Sequence, residues 1–321
     1  MNLNNLPKIL ASCGNQMKVF RRLYTPRRAL LYVPGDDIKK INKTNGLDVD
    51  CVVLDCEDGV ALNKKDAART IIRDMLDKGK PQKDRPFDWG VRVNSVDSGL
   101  CKNDLQALLT AKNLPDTVSL PKVETTEHIK WFSDQVDSLV KQDKKVNLII
   151  FIESAIAFLN LVDICKAADT LSKQCKIMPC ALVYGGDDFV ANIGATKTEE
   201  GLETLYARQK LVLVAKAFNL QAIDMVYIKF KDLDGLRKQS EQGSNMGYTG
   251  KQVIHPGQVP IVQDAFLPNS SKVEWATGLL KSFEEHQKTG KGAFTYKGSM
   301  IDMPTMKQAK NIVDTIKILK K

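Results

Sequence analysis

The sequence predicts an α/β protein of the (β/α)8 TIM-barrel class, with a helical extension at its C-terminal end. Three observations predict it. Eight short runs rich in Val, Ile and Leu recur between Ala29 and Phe266, each closes in a polar or glycine-containing turn, and an amphipathic stretch follows each turn. Eight near-equal units would make a long open sheet, whereas closure into a barrel removes every sheet edge and typically takes about 250 residues. The 321-residue chain accommodates such a barrel with a segment to spare.

In chain order the strand-like runs are ALLYVPG, DCVVLDCEDG, GVRVNS, DTVSLPK, NLIIFIESA, ALVYGGDD, AIDMVYIKF and KQVIHPG. The intervening stretches carry helix signals. Asn63 and Asp66 open KKDAARTIIRDMLDKG as an N-cap pattern, and Gly79 stops it. In GLETLYARQKLVLVAKAFNL, Leu202, Leu205 and Leu211 to Val214 fall at helical spacing. Pro268-Asn-Ser-Ser ends the eightfold pattern, and a helix, KVEWATGLLKSFEEHQKTGKG, and the segment AFTYKGSMIDMPTMKQAKNIV come after it. The expected organisation is a leader over 1–24, a catalytic barrel over 25–268 and an extension over 269–321.

Composition narrows the function. Six of the nine net positive charges are Lys8, Lys18, Arg21, Arg22, Arg27 and Arg28, in a stretch with no acid before Asp36, so the folded part carries little basic surface for nucleic acid. Such a leader suits a mitochondrial transit peptide and a matrix location, with a basic tail on a cytosolic protein as the other reading. No apolar run reaches the roughly 20 residues of a membrane span. Seven cysteines without a C-x-x-C pair read as reduced thiols, and three histidines leave little for an imidazole zinc site.

Barrel active sites are built at the C-terminal ends of strands. Those ends supply Tyr32, Asp55, Glu57, Asp58, Arg92, Asn94, Lys122, Glu153, Asp187, Asp188, Lys229 and His255. A single Asp after a strand is more often a helix cap than a ligand, but Glu is a poor cap and Ser154 beside Glu153 is a better one. Glu153 after the fifth strand and Asp188 after the sixth face one cavity, where like charges need a cation between them. All-oxygen ligation with open positions favours Mg2+. YGGDD lets backbone approach a ligand closely, whereas GYTGKQ fails as a P-loop because Gln252 stands where Ser or Thr is required. Lys39 and Lys43, four apart after the first strand, suit either phosphate binding or a solvated helix face.

Taken together, RRALLYVPGDD, VVLDCEDGVALNKKDAAR, VRVNS, LPKVE, FIESA, YGGDDF, AIDMVYIKFKD, MGYTGKQVIHPGQV and GKGAFTYKGSMIDMP resemble the citrate lyase beta-like branch of the HpcH/HpaI aldolase and citrate lyase superfamily, from about Arg27 to the C-terminal end. The resemblance implies a TIM barrel, a homotrimer, Mg2+ and reversible cleavage of a CoA thioester, citramalyl-CoA, to acetyl-CoA and pyruvate. It implies Glu153 and Asp188 as metal ligands and Arg92 at the carbonyl or alkoxide oxygen. Tyr32, Lys39, Lys43, Ile254 and His255 would hold the thioester, and Asp302 would be the catalytic acid, packed toward a neighbouring subunit's site. The family's usual GGEDF is GGDDF here, with Asp187 as the departure. Malate or β-methylmalate synthesis, a metal-dependent 2-keto acid aldolase and a catalytically silent CoA-thioester-binding subunit are the alternatives.

Overall fold

The computed structural model describes residues 25–288 and 294–319. The chain divides into two compact units, one of residues 27–266 and one that takes in the C-terminal residues from 267 onward. The first is the barrel. Its strands are β1 (Ala29–Pro34), β2 (Cys51–Asp55), β3 (Asp88–Arg92), β4 (Thr117–Leu120), β5 (Val146–Ile152), β6 (Ile177–Tyr184), β7 (Gln221–Asp224) and β8 (Gly250–Val253). Each pairs in parallel with the next, and β8 pairs with β1 to close the ring. The helices are α1 (Ile38–Lys43), α2 (Lys65–Lys78), α3 (Cys101–Leu109), α4 (Thr126–Leu139), α5 (Ala155–Ser172), α6 (Gly186–Asn192), α7 (Leu205–Ala217), α8 (Leu233–Met246) and α9 (Val259–Ala265).

The apolar runs are continuous because each strand is buried on both faces. One set of alternating residues, including Leu30, Val53, Ile149, Ala181 and Ile223, packs inside the ring. The other set, including Leu31, Val52, Val91, Leu148 and Leu182, packs with the helices in the larger core. At the N-terminal end of the strands the interior turns polar. Buried Arg27 pairs with Asp88 at 2.5 Å and reaches Thr117 Oγ1 at 3.3 Å, and the Thr117 hydroxyl also bonds Asp88.

Three local expectations are corrected. Helix α2 starts at Lys65 behind a 3-10 turn over Leu62–Lys64, so Asn63 lies inside that turn and caps nothing, while Gly79 ends the helix at φ 94°. Strand β7 stops at Asp224, so Lys229 lies beyond it in a loop, paired with Glu199 at 2.8 Å. On α7 the buried stripe is Leu211, Val212 and Val214, whereas Leu213 and, ahead of the helix, Leu202 are exposed. Among the described residues, six cysteines are free thiols and no helix is long and apolar enough to cross a membrane. Cys13 and the expected leader over 1–24 lie outside the described residues.

The second unit holds α10 (Ser270–Gln287), a hairpin of β9 (Thr295–Tyr296) and β10 (Ser299–Met300), and α11 (Met303–Leu319). Its own small core contains Ala276, Leu279, Phe294, Met306 and Ala309. Asp302 stands just ahead of α11, where its Oδ1 accepts the Thr305 N–H at 2.8 Å.

Barrel closure depends on one missing side chain. A Cβ at residue 250, the first of β8, would overlap the main-chain carbonyls of Arg27 and Arg28, which cannot swing aside as a side chain would. Gly250→Ala is expected to destabilise the barrel by about 3 kcal/mol or more, read as a lowered midpoint in denaturant with the far-UV spectrum retained below it.

Candidate active site

Residues after the strands meet at a cavity of about 430 Å3 lined by Tyr32, Asp55, Arg92, Glu153, Asp188 and Gln252, among others. Alternation explains the convergence. In the register of the ring, Asp55 on β2 stands beside Arg92 on β3, and both point inward. Arg92 donates from Nε and Nη2 to the two oxygens of Asp55, each at 2.7 Å, a bidentate pair buried in the barrel mouth. Its Nη1 lies 2.7 Å from Glu57 and 3.3 Å from Asp58, and the guanidinium stacks 4.6 Å over the Tyr32 ring. Burial works against the Arg92 charge, but Asp55 and Glu57 outweigh it and keep the guanidinium protonated.

Asp55 has a second task. Its carboxylate accepts the main-chain N–H groups of Glu57 at 2.8 Å and Gly59 at 2.9 Å, which curls the CEDG turn, with Asp58 in the cavity lining and Glu57 against Arg92. Lys65 fixes the same turn from α2 by donating to the carbonyls of Cys56 and Glu57. Lys122, after β4, completes the group with its ammonium 2.9 Å from Glu57 and 3.7 Å from Asp58.

Glu153 and Asp188 are held differently. Glu153 accepts a single N–H, from the Lys122 main chain at 2.7 Å, and among the described residues no cation pairs with Asp188. Burial, with the negative charges of Glu57 and Asp188, pushes the Glu153 carboxyl up to about 8. Burial also raises Glu57 to about 7, against the pull of Arg92 and Lys122. A Cβ on Gly185 would come within 2.6 Å of Glu153 Oε2, so a glycine there leaves room for that oxygen. Oxygen donors, surplus negative charge and this cradle fit a divalent cation. Among the described residues no three potential ligands converge, so protein would supply two carboxylates and leave further positions to water or substrate.

Of the residues that the resemblance assigns to the site, Tyr32, Arg92, Glu153, Asp188 and Ile254 line this one cavity. Lys39 and Lys43 lie on the exposed face of α1, the helix that follows β1. His255 is outside the cavity lining, where it stacks on Phe230 at 5.0 Å and caps the Pro256–Gln258 turn. Asp187 lines the cavity but pairs with Lys197 at 2.5 Å from the loop beyond α6. Asp302 is exposed, and its hydrogen bonds to Thr305 hold its carboxyl below the usual carboxylate range, opposite to what a general acid needs.

The sequence reading missed Gln252. Its amide donates to the carbonyls of Tyr184 at 2.9 Å and Asp224 at 3.1 Å, and its Oε1 accepts the Tyr32 hydroxyl at 2.9 Å. Alternation along GKQVI, which places Gln252 on the same side as Ile254, is the signal that finds it.

The HpcH/HpaI aldolase/citrate lyase family matches residues 28–256. The chain belongs to this family. Human mitochondrial citramalyl-CoA lyase is 52% identical over 296 residues, covering 90% of this chain and 85% of that protein. Citrate lyase subunit beta of Leuconostoc mesenteroides subsp. cremoris is 26% identical over 300 residues, 89% of this chain and 92% of that protein. Among solved structures, Mycobacterium tuberculosis CitE in complex with magnesium, acetoacetate and coenzyme A has a TM-score of 0.70 at 26% identity, covering 90% of this chain and 97% of that one. That neighbour holds magnesium, and the carboxylate donor set found here suits a divalent cation.

Two predictions follow from the carboxylate geometry. Gly185→Ala should displace the Glu153 carboxylate and weaken divalent-metal binding at least about tenfold, measured by calorimetry on folded protein. Metal-free protein should lose thermal stability as pH rises from about 5 to about 8. The folded-state carboxyls of Glu153 and Glu57 titrate above their unfolded values, so the native state binds more protons than the unfolded chain in that window. Divalent cation should restore the melting temperature at pH 8, and a flat profile in both conditions would contradict the charge arrangement.

Proposed function

We propose that this chain is a divalent-metal-dependent carbon–carbon lyase that cleaves citramalyl-CoA to acetyl-CoA and pyruvate. The observation that carries the reading is the pairing pattern at the cavity. Asp55, Glu57 and Asp58 are matched to Arg92 and Lys122, while among the described residues no cation pairs with Glu153 or Asp188. Glu153 and Asp188 would hold the metal, Mg2+ by the preference of hard carboxylate oxygens. When bound, such a cation supplies Lewis-acid charge that lowers the pKa of a substrate hydroxyl.

Cleavage of a 3-hydroxyacyl thioester breaks the bond between the hydroxyl-bearing carbon and the methylene next to the thioester. The hydroxyl proton leaves, the carbinol carbon becomes the ketone of pyruvate, and the electron pair departs as the thioester enolate, which takes a proton to give acetyl-CoA. Arg92, kept charged by Asp55 and braced on Tyr32, provides fixed positive charge at the mouth of the barrel for the oxygen that becomes the ketone. Lys39 and Lys43, exposed on α1, would meet the phosphates of the CoA arm, and exposed Ile254 would meet its apolar portion. Asp302 would protonate the enolate carbon in the site of a neighbouring subunit of a homotrimer. Burial in such an interface would raise its carboxyl from the depressed value it has as an exposed cap. The acid-free basic leader and the names of the mammalian relatives support a mitochondrial setting.

The test is release of acetyl-CoA and pyruvate from citramalyl-CoA, with Mg2+ and after chelation, beside the same assay on free citramalate. Metal-dependent cleavage of the thioester alone is expected. Cleavage of only the free acid would make the protein a 2-keto acid aldolase. Glu153→Gln should lower kcat at least about a hundredfold, and Asp302→Asn should abolish turnover while leaving metal binding intact. If Asp302→Asn stays within a fewfold of the unaltered rate, its role as the acid is wrong.

A further inference from the structure

We propose that Lys122 is a positioning residue that divides the carboxylates of this site, confining the divalent cation to Glu153 and Asp188. The inference rests on the metal-binding reading above and adds a residue and a role to it. Its starting point is the backbone. Among the described residues three that are not glycine have positive φ: Lys122 at 53°, Asn219 at 57° and Lys297 at 47°. Asn219 comes just after α7, where asparagine commonly adopts this conformation, and Lys297 sits in the turn between β9 and β10. Lys122 has neither excuse. It follows β4 in a segment that enters no hairpin, and a strained lysine that contacts the cavity-lining Glu153 and Asp58 points to a local requirement.

The requirement is visible in what the residue touches. Its main-chain N–H is 2.7 Å from Glu153 Oε1, and its ammonium is 2.9 Å from Glu57 Oε1 and 3.7 Å from Asp58 Oδ1. One residue therefore grips a carboxylate from each of two groups. The N–H turns one oxygen of Glu153 inward and leaves the other toward Gly185, while the ammonium occupies Glu57 and Asp58. Without that ammonium, Glu57 would keep only its share of Arg92, which is already committed bidentately to Asp55. Its carboxylate would then compete for the cation.

The experiment uses Mn2+ as a paramagnetic stand-in for the metal, with binding followed by electron paramagnetic resonance on the full-length protein. Lys122→Gly keeps the N–H and suits the left-handed backbone while deleting the ammonium, and Lys122→Asn does the same with a side chain that tolerates that conformation. Both are expected to bind Mn2+ at least threefold more tightly, since a neighbouring positive charge is gone, and to lose at least tenfold in kcat with citramalyl-CoA because the cation is no longer held in one place. Tighter metal with slower turnover is a pair of changes that a merely structural lysine would not produce. Weaker or unchanged Mn2+ binding in both variants would overturn the inference, as would failure of both to fold, which would make Lys122 a structural clasp. Absence of Mn2+ binding by the unaltered protein would overturn the metal reading and this inference together.

Discussion

Negative charge outnumbers positive charge at the mouth of this barrel, and the arrangement of the site depends on how that surplus is distributed. Arg92 cannot neutralise Asp55, Glu57 and Asp58 alone, although it touches all three. Lys122 takes part of the load from Glu57 and Asp58, and among the described residues no cation forms an ion pair with Glu153 or Asp188. Buried like charges raise the cost of keeping both ionised, so the fold holds a position that a cation would stabilise. The same surplus explains why Arg92 remains charged in a buried place, and why its plane is fixed on two sides, by Asp55 in the guanidinium plane and by Tyr32 against its face.

This charge pattern is carried by rigid elements. Each member comes from the end of a strand, the turn just after it or, for Asp188, the start of the helix that follows, and strand register sets the neighbours. Gln252 ties the first strand to the sixth and seventh across the interior, from the Tyr32 hydroxyl to the carbonyls of Tyr184 and Asp224. With its NH2 committed to those two carbonyls, the amide oxygen is the end that faces Tyr32, and an oxygen of this kind only accepts, so the Tyr32 hydroxyl donates to it. The tyrosine proton is thereby directed away from Arg92. Small residues supply the remaining room: Gly185 beside Glu153 and Gly186 beside Met225 both stand where a Cβ would collide.

Much of this was legible in the sequence because both of its periodicities are strong. Runs buried on two faces alternate with amphipathic helices, and that is enough for the barrel, its strand order and the polar ends that face one cavity. The Glu153 and Asp188 pair stood out because a carboxylate at the end of a run such as NLIIFI has few structural uses. What could not be read were roles decided by partners distant in sequence. Asp55, Glu57 and Asp58 look equivalent in DCEDG, and only the arrival of Arg92 and Lys122 from other strands ranks them. Strand ends were read too far where an apolar run continued into a loop, as at Lys229, because hydropathy does not record where pairing stops. Asp302 is also a matter of partners: within one chain it is an exposed cap.

Arg27 at the floor of the barrel sets a limit on how the N-terminal end can be trimmed. Its guanidinium fills the interior beneath Leu30 and neutralises Asp88, whose carboxylate is otherwise sealed among Thr117 and the walls of the ring. Arg28, next in sequence, does the same for buried Asp50 at the outer edge, at 2.7 Å. A protease that cut after Arg28 would leave Asp88 stranded in low dielectric, a loss of about 3–5 kcal/mol for the broken pair, while Asp50 would keep its second partner, Arg85. Arg27 is thus the plug that lets the bottom of the cylinder close.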